Sequence, residues 1–298
     1  MTPRTYDSPA AFKQALEQRL RSLSASGLDF VRRRQLLVFD RFLARVVRTV
    51  GKAAVLKGGL ALELRLSRAR TTKDVDLRFT GSSGDLLERL QEAGQLDLGD
   101  FMTFEVRPDP NHPEIRNAGM PYDGLRHRTE PRLGGKRYGQ PFGVDVAFAD
   151  PILGEPDSLV APDVLAFAGI APPTLRVYPI ESHLAEKLHA YTLPRERENS
   201  RVKDLPDLAL LGTIRALERV RLRLALERTF SFRGTHALPL RLPVPPASWL
   251  EVYRRMAAED DLGWKTLPEL VAVARAFLDP VLEGSAATIW DPSRWRWE

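Results

Sequence analysis

The chain has 298 residues, 43% of them hydrophobic, and a formal net charge of +5. That length holds one large domain or two, no apolar run is long enough to span a bilayer, and the modest positive excess suits RNA, DNA, nucleotides or an acidic protein partner. Cysteine is absent, which excludes disulfides, thiolate metal sites and a cysteine nucleophile; with no apolar signal segment at the start, this fits a cytoplasmic protein with no membrane partner.

Ser8-Pro9 reads as the N-cap and first residue of a helix running to about residue 23. A longer amphipathic helix is expected over residues 29–50, its apolar stripe made by Phe30, Leu36, Leu37, Phe39, Phe42, Leu43 and Val46. Arg32, Arg33 and Arg34 read as its solvated face. Val55-Leu56 ends a strand-like run, Gly58-Gly59 follows, and residues 60–66 read as a short helix. A second strand opens at Asp74-Val75-Asp76. Next come a helix over 82–93, a strand over 101–107 and a loop over 108–121 that contains Pro108, Pro110, Pro113 and Pro121. Strands over 125–133 and 140–148 are joined through Gly134-Gly135 and Gly139. The proline-rich stretch 151–179 leads to helices over 181–193, 202–211, 214–230, 247–259 and 267–282. The expected organisation is N-terminal helices over 1–50, an α/β core over 51–179 and a helical lobe over 180–298.

The chemistry gathers around Lys57-Gly58-Gly59 and Asp74-Val75-Asp76. Paired glycines let backbone N–H groups approach a phosphate because no Cβ intervenes. The following helix aims its N-terminal partial charge at the same place. Residues two apart on a strand share a face, so Asp74 and Asp76 project together while Val75 and Leu77 enter the core. Two carboxylates beside a glycine turn suit Mg²⁺ carrying a nucleoside triphosphate. Thr72, two before Asp74, would present its hydroxyl on the same face, with Lys73 beside it. Asp145 sits between Val144 and Val146, an odd setting for a surface acid; Asp150, before Pro151, reads as a turn residue. Lys187 stands four positions after His183, and Asp204 and Asp207 share a helix face. Asp204 suits a helix N-terminus; Asp207 lies a turn further in. No histidine pair has zinc spacing, and Lys57 precedes its glycines, which disfavours a P-loop.

Basic residues cluster at Arg126, Arg128, Arg132, Lys136 and Arg137, at Arg195, Arg197, Arg201 and Lys203, and at Arg215, Arg219, Arg221, Arg223 and Arg228. Such runs are usually solvated faces, but three of them beside one cleft suit a phosphate backbone. The tail interleaves Trp290, Trp295 and Trp297 with Arg294 and Arg296. It is expected to pack on the body, with base stacking as the alternative.

The stretch Leu56-Lys57-Gly58-Gly59-Leu60-Ala61-Leu62-Glu63-Leu64-Arg65, followed by Arg70-Thr71-Thr72-Lys73-Asp74-Val75-Asp76, resembles the AbiEii/AbiGii toxin family of nucleotidyltransferases, which includes the MenT toxins. Ala185-Glu186-Lys187-Leu188-His189-Ala190 and Lys203-Asp204-Leu205-Pro206-Asp207-Leu208 fit the same family, so the likeness covers roughly residues 35–215. It implies an α/β (α+β) fold, a mixed-sheet nucleotidyltransferase core with flanking helices and a helical C-terminal lobe. It also implies Asp74, Asp76, Lys187 and Asp207 as catalytic residues, Asp145 joining Asp74 and Asp76 as metal ligands, and Lys57, Gly58, Gly59, Thr72 and Lys73 against the nucleotide. The implied activity is Mg²⁺-dependent (or Mn²⁺-dependent) transfer from an NTP to RNA, with the tRNA 3′ end as acceptor. A toxin–antitoxin or phage-defence setting and a cognate antitoxin follow from the same likeness. Two other readings stay open: transfer to a protein hydroxyl, and a non-catalytic module that binds nucleotide or antitoxin.

Overall fold

Ser8 accepts the Ala11 N–H and Pro9 opens the first helix, α1 (Pro9–Leu23), which buries Phe12, Leu16 and Leu20 at four-residue spacing. The second, α2 (Gly27–Val50), starts slightly before its expected point because Ser26 caps the Asp29 N–H. The computed structural model describes residues 4–66, 72–115, 124–196 and 199–298. Arg70, Thr71, Pro121 and Arg197 lie outside the described residues.

β1 (Ala54–Lys57) runs straight into α3 (Gly58–Arg65), and β2 (Asp74–Phe79) returns antiparallel to β1. After α4 (Leu86–Gln95) come β3 (Met102–Pro108), β4 (Glu114–Ile115), β5 (Gly124–Leu133), β6 (Lys136–Arg137), β7 (Phe142–Ala147), β8 (Asp157–Val160) and β9 (Thr174–Val177). The sheet order is β3-β5-β7-β2-β1-β9-β8, with β4 and β6 paired to β5. β2 with β7 and β1 with β9 are parallel and the other pairs antiparallel, so the sheet is mixed. The expected helix from residue 82 begins only at Leu86, because Ser82 accepts the Gly84 N–H in a turn that competes with helix.

The second half contains α5 (Ile180–Thr192), α6 (Asp204–Gly212), β10 (Leu217–Glu218), α7 (Arg219–Arg233), α8 (Trp249–Glu259) and α9 (Leu267–Glu283). A capping box of Thr266 and Glu269 starts α9. The C-terminal strands β11 (Ile289–Asp291) and β12 (Arg296–Trp297) join β10 in a small sheet. That pairing explains why α7 starts at Arg219 rather than near residue 214: the tail claims Leu217 and Glu218 as a strand. The tail tryptophans pack on α9 as expected. Trp290 is fully buried, its ring 4.7 Å from Phe277 and its N–H on the Gly212 carbonyl.

One apolar cluster joins α1, α2, α4 and the sheet; another joins α5 to α9 and the tail, with Leu62 of α3 inserted into it. α3 therefore touches both halves. The first cluster also surrounds a buried ionic group that sequence patterning does not announce. Arg41 and Arg45 of α2 both bind Asp100, at 2.7 and 2.6 Å, and none of the three is more than marginally exposed. Among the described residues no helix is long and apolar enough to cross a membrane.

Candidate active site

Strand register builds the site. Lys57 of β1 pairs with Asp76 of β2, Asp76 with Asp145 of β7, and Asp145 with Arg126 of β5. Cross-strand partners project to one face, so four strands carry a row reading cation, carboxylate, carboxylate, cation. Asp74 shares the face two residues earlier, opposite Gly143.

Two glycines make room for these acids. A Cβ on Gly58 would stand 2.0 Å from Asp76 Oδ2, and one on Gly143 would stand 2.7 Å from Asp74 Oδ1. Gly58 also has φ +66°, a left-handed conformation that glycine adopts without a Cβ penalty. The Gly143 N–H donates to Asp74 Oδ1 at 3.2 Å. Asp74 and Lys73 are exposed, whereas Asp76 is partly covered. Burial, with the nearby Asp145 adding to it, pushes the Asp76 carboxyl up to about 6 against the pull of Lys57 and Lys187. This face therefore crowds negative charge.

Thr72 is buried rather than open on the acids' face. Its N–H donates to Glu63 Oε2 at 3.1 Å and its hydroxyl lies 3.4 Å from the Asp74 carbonyl oxygen. It ties α3 to the start of β2. Lys57 has acidic partners from distant parts of the chain. Its amine is ion-paired with Asp150 and, at 3.2 Å, with Glu186. The charges of Glu186 and Asp150 outweigh burial and hold that amine above its ordinary pKa. Asp150, just past the bend that follows β7, is fully buried and binds Arg233 of α7 at 2.6 Å as well as Lys57. This network links the glycine turn to α5 and α7.

Lys187 of α5 sits between the two acids of α6, 2.9 Å from Asp204 and 2.7 Å from Asp207. Asp204 is therefore more than a helix-terminal acid. One turn back, His183 is buried; burial and then the Lys187 charge press its imidazole down to about 3, so it stays neutral.

Among the described residues no three acidic or histidine side chains converge to hold a metal ion. Asp74, Asp76 and Asp145 lie together on one face, but Arg126 forks both Asp145 oxygens at 2.7 and 2.6 Å. Carboxylates this close repel one another, and a guanidinium beside them relieves that. The donors themselves fit a divalent ion. They are hard carboxylate oxygens of the type Mg²⁺ takes, and no Cβ obstructs Asp74 or Asp76.

Much of the basic charge is compensated internally. Arg132 and Arg137 bind Glu130, Arg215 and Arg221 approach Glu181, and Arg223 binds Glu227. Sequence reading missed the Arg126 fork, the role of Asp150, and the partners Glu186 and Arg233. Asp150 to Lys57 spans 93 positions and Glu186 to Lys57 spans 129, so no local pattern signals either pair.

Residues 41–274 match the family model described as nucleotidyl transferase AbiEii toxin, type IV TA system. No curated protein sequence matches the chain. Among solved structures, the chain resembles MenT4, a nucleotidyltransferase toxin from Mycobacterium tuberculosis, at 16% identity and a TM-score of 0.58, covering 95% of this chain and 92% of that one. JHP933 from Helicobacter pylori matches at 16% identity and a TM-score of 0.46, over 84% of this chain and 94% of that one. With the family model spanning most of the chain, the mixed sheet, the glycine turn and the Asp74-Val75-Asp76 strand belong to a member of the AbiEii family of nucleotidyltransferase toxins of type IV toxin–antitoxin systems.

Proposed function

We propose that this toxin transfers a nucleotide from an NTP to the 3′ end of RNA, with tRNA as the acceptor, and that the reaction requires Mg²⁺, which Mn²⁺ can replace. The observation that carries the reading is the carboxylate face of Asp74, Asp76 and Asp145 beside the Gly58-Gly59 turn, with the Lys187–Asp204–Asp207 group among its neighbours. Asp74, Asp76 and Asp145 would hold the ion. When bound, it supplies positive charge at the reacting phosphate and lowers the pKa of the attacking hydroxyl.

The chain's own residues do the positioning. Gly58 and Gly59, at the start of α3, bring backbone N–H groups to the triphosphate. The ion pairs of Lys57 with Asp150 and Glu186 hold that turn against α5. Lys187 offers its ammonium to the departing pyrophosphate, oriented by Asp204 and Asp207. Lys73, exposed at the site's edge, adds a cation for the substrate's phosphates. A cognate antitoxin would silence the enzyme in the cell, and the toxin would act in the cytoplasm.

The test is label transfer from each α-³²P NTP to total RNA and total protein. Label at RNA 3′ ends supports the proposal. Label on protein replaces the acceptor, and no label with any NTP contradicts the assignment.

A further inference from the structure

Arg126 occupies a place that the proposed function does not use. It ends the row Lys57–Asp76–Asp145–Arg126, and its guanidinium takes both oxygens of Asp145. The pair is only partly covered: the arginine side chain is 39% exposed and the aspartate 20%. A bidentate fork takes one lone pair on each oxygen and competes with a cation for the same carboxylate, because two cations sharing it repel each other. Two other cations of the site pair with acids outside this row: Lys57 with Asp150 and Glu186, and Lys187 with Asp204 and Asp207.

We infer that Arg126 is a placeholder cation and positioning residue: it holds Asp145 while no divalent ion is bound, yields that carboxylate to the ion, and turns its fork onto the triphosphate. This inference rests on the nucleotide–metal reading of the site. Three parts of the geometry carry it. The guanidinium sits on the one member of the acid set that the ion must recruit from a partner. Its exposure leaves the side chain room to swing. Its planar fork fits phosphate oxygens as well as it fits a carboxylate. Arg126 thereby links metal and nucleotide binding: the carboxylate released to one creates the cation offered to the other.

The linkage predicts opposite effects from one substitution. Arg126→Gln removes the competitor, so Mn²⁺ alone, measured by electron paramagnetic resonance, binds about two- to fivefold more tightly, the range expected for loss of a partly exposed ion pair. The Mg²⁺ complex of a non-hydrolysable NTP, measured by calorimetry, binds about tenfold more weakly because a charge-assisted contact to phosphate is gone. Arg126→Lys keeps the charge without the fork; its Mn²⁺ affinity stays near wild type and its nucleotide affinity falls between the other two. Thermal melts establish that each variant is folded, and Arg126→Ala, with the same expected directions, replaces the glutamine variant if that one is not. Movement of both affinities in the stated directions supports the inference; wild-type Mn²⁺ affinity or unweakened nucleotide binding in folded Arg126→Gln overturns it. If wild-type protein binds no Mn²⁺, or Asp76→Asn leaves Mn²⁺ binding unchanged, the metal reading itself fails, a result separate from the behaviour of Arg126.

Discussion

Gly58→Ala separates the backbone requirement of the glycine turn from its role in seating Asp76. At φ +66° a Cβ costs about 1–2 kcal/mol of backbone strain. The same Cβ would lie 2.0 Å from Asp76 Oδ2, where real contacts stay beyond 3.0 Å. The carboxylate must therefore move by about 1 Å, a displacement that costs on the order of 100-fold in rate when it misplaces a reacting geometry. Gly284→Ala is the control at an open left-handed position. Gly284 has φ +80°, yet a Cβ there meets nothing within 4 Å. Both variants should remain folded with reduced thermal stability, and only Gly58→Ala should lose transfer. The assays are a thermal melt and the initial rate of label transfer at saturating NTP. Equal activity in the two variants would refute the claim that Gly58 exists to make room for Asp76.

Lys187→Ala and Asp207→Asn should each reduce transfer by at least about tenfold, the loss of an oriented cation near the leaving group; steady-state kinetics with unchanged kcat would remove both from the reaction. Asp100→Asn should destabilise the fold by about 3–5 kcal/mol, since it strands the buried Arg41 and Arg45; chemical denaturation showing a loss below about 1 kcal/mol would contradict that. Asp40 is buried with one unpartnered carboxylate oxygen, and burial, opposed by Arg41 and aided by Asp100, raises its carboxyl from 3.8 to about 7. A raised carboxyl means that the folded state binds the proton more tightly, so this stability is full below pH 3.8 and lost as pH climbs through about 7. Asp40→Asn should therefore gain on wild type across that window, by about 4 kcal/mol in total, and then level off; a constant difference in melts from pH 4 to 8 would exclude Asp40 as the source.

The parts of the site that follow local rules were readable in the sequence. The turn at Gly58-Gly59, the two-residue spacing of Asp74 and Asp76, and the helices carrying Lys187 and Asp207 all depend on short-range periodicity. Asp145 stood out because an acid flanked by valines, facing away from them, is not a typical surface strand residue. The hidden parts are side-chain choices among distant partners. Nothing near Lys57 states that its amine prefers Asp150 and Glu186, and nothing near Arg41 or Arg45 identifies Asp100. Thr72 shows the same limit: alternation aims its hydroxyl at the acids' face, but Glu63 draws the backbone of that residue inward. The start of α7 was misplaced for a related reason, since only the C-terminal tail turns Leu217 and Glu218 into a strand.

The central claim is that Asp74 and Asp76 bind the ion that the transfer needs. Mn²⁺ binding and label transfer measured together on wild type, Asp74→Asn and Asp76→Asn test it most directly. The substitutions preserve side-chain size and remove charge, so the account predicts folded variants that lose both Mn²⁺ binding and transfer. Folded variants that retain wild-type Mn²⁺ affinity and wild-type transfer would contradict it.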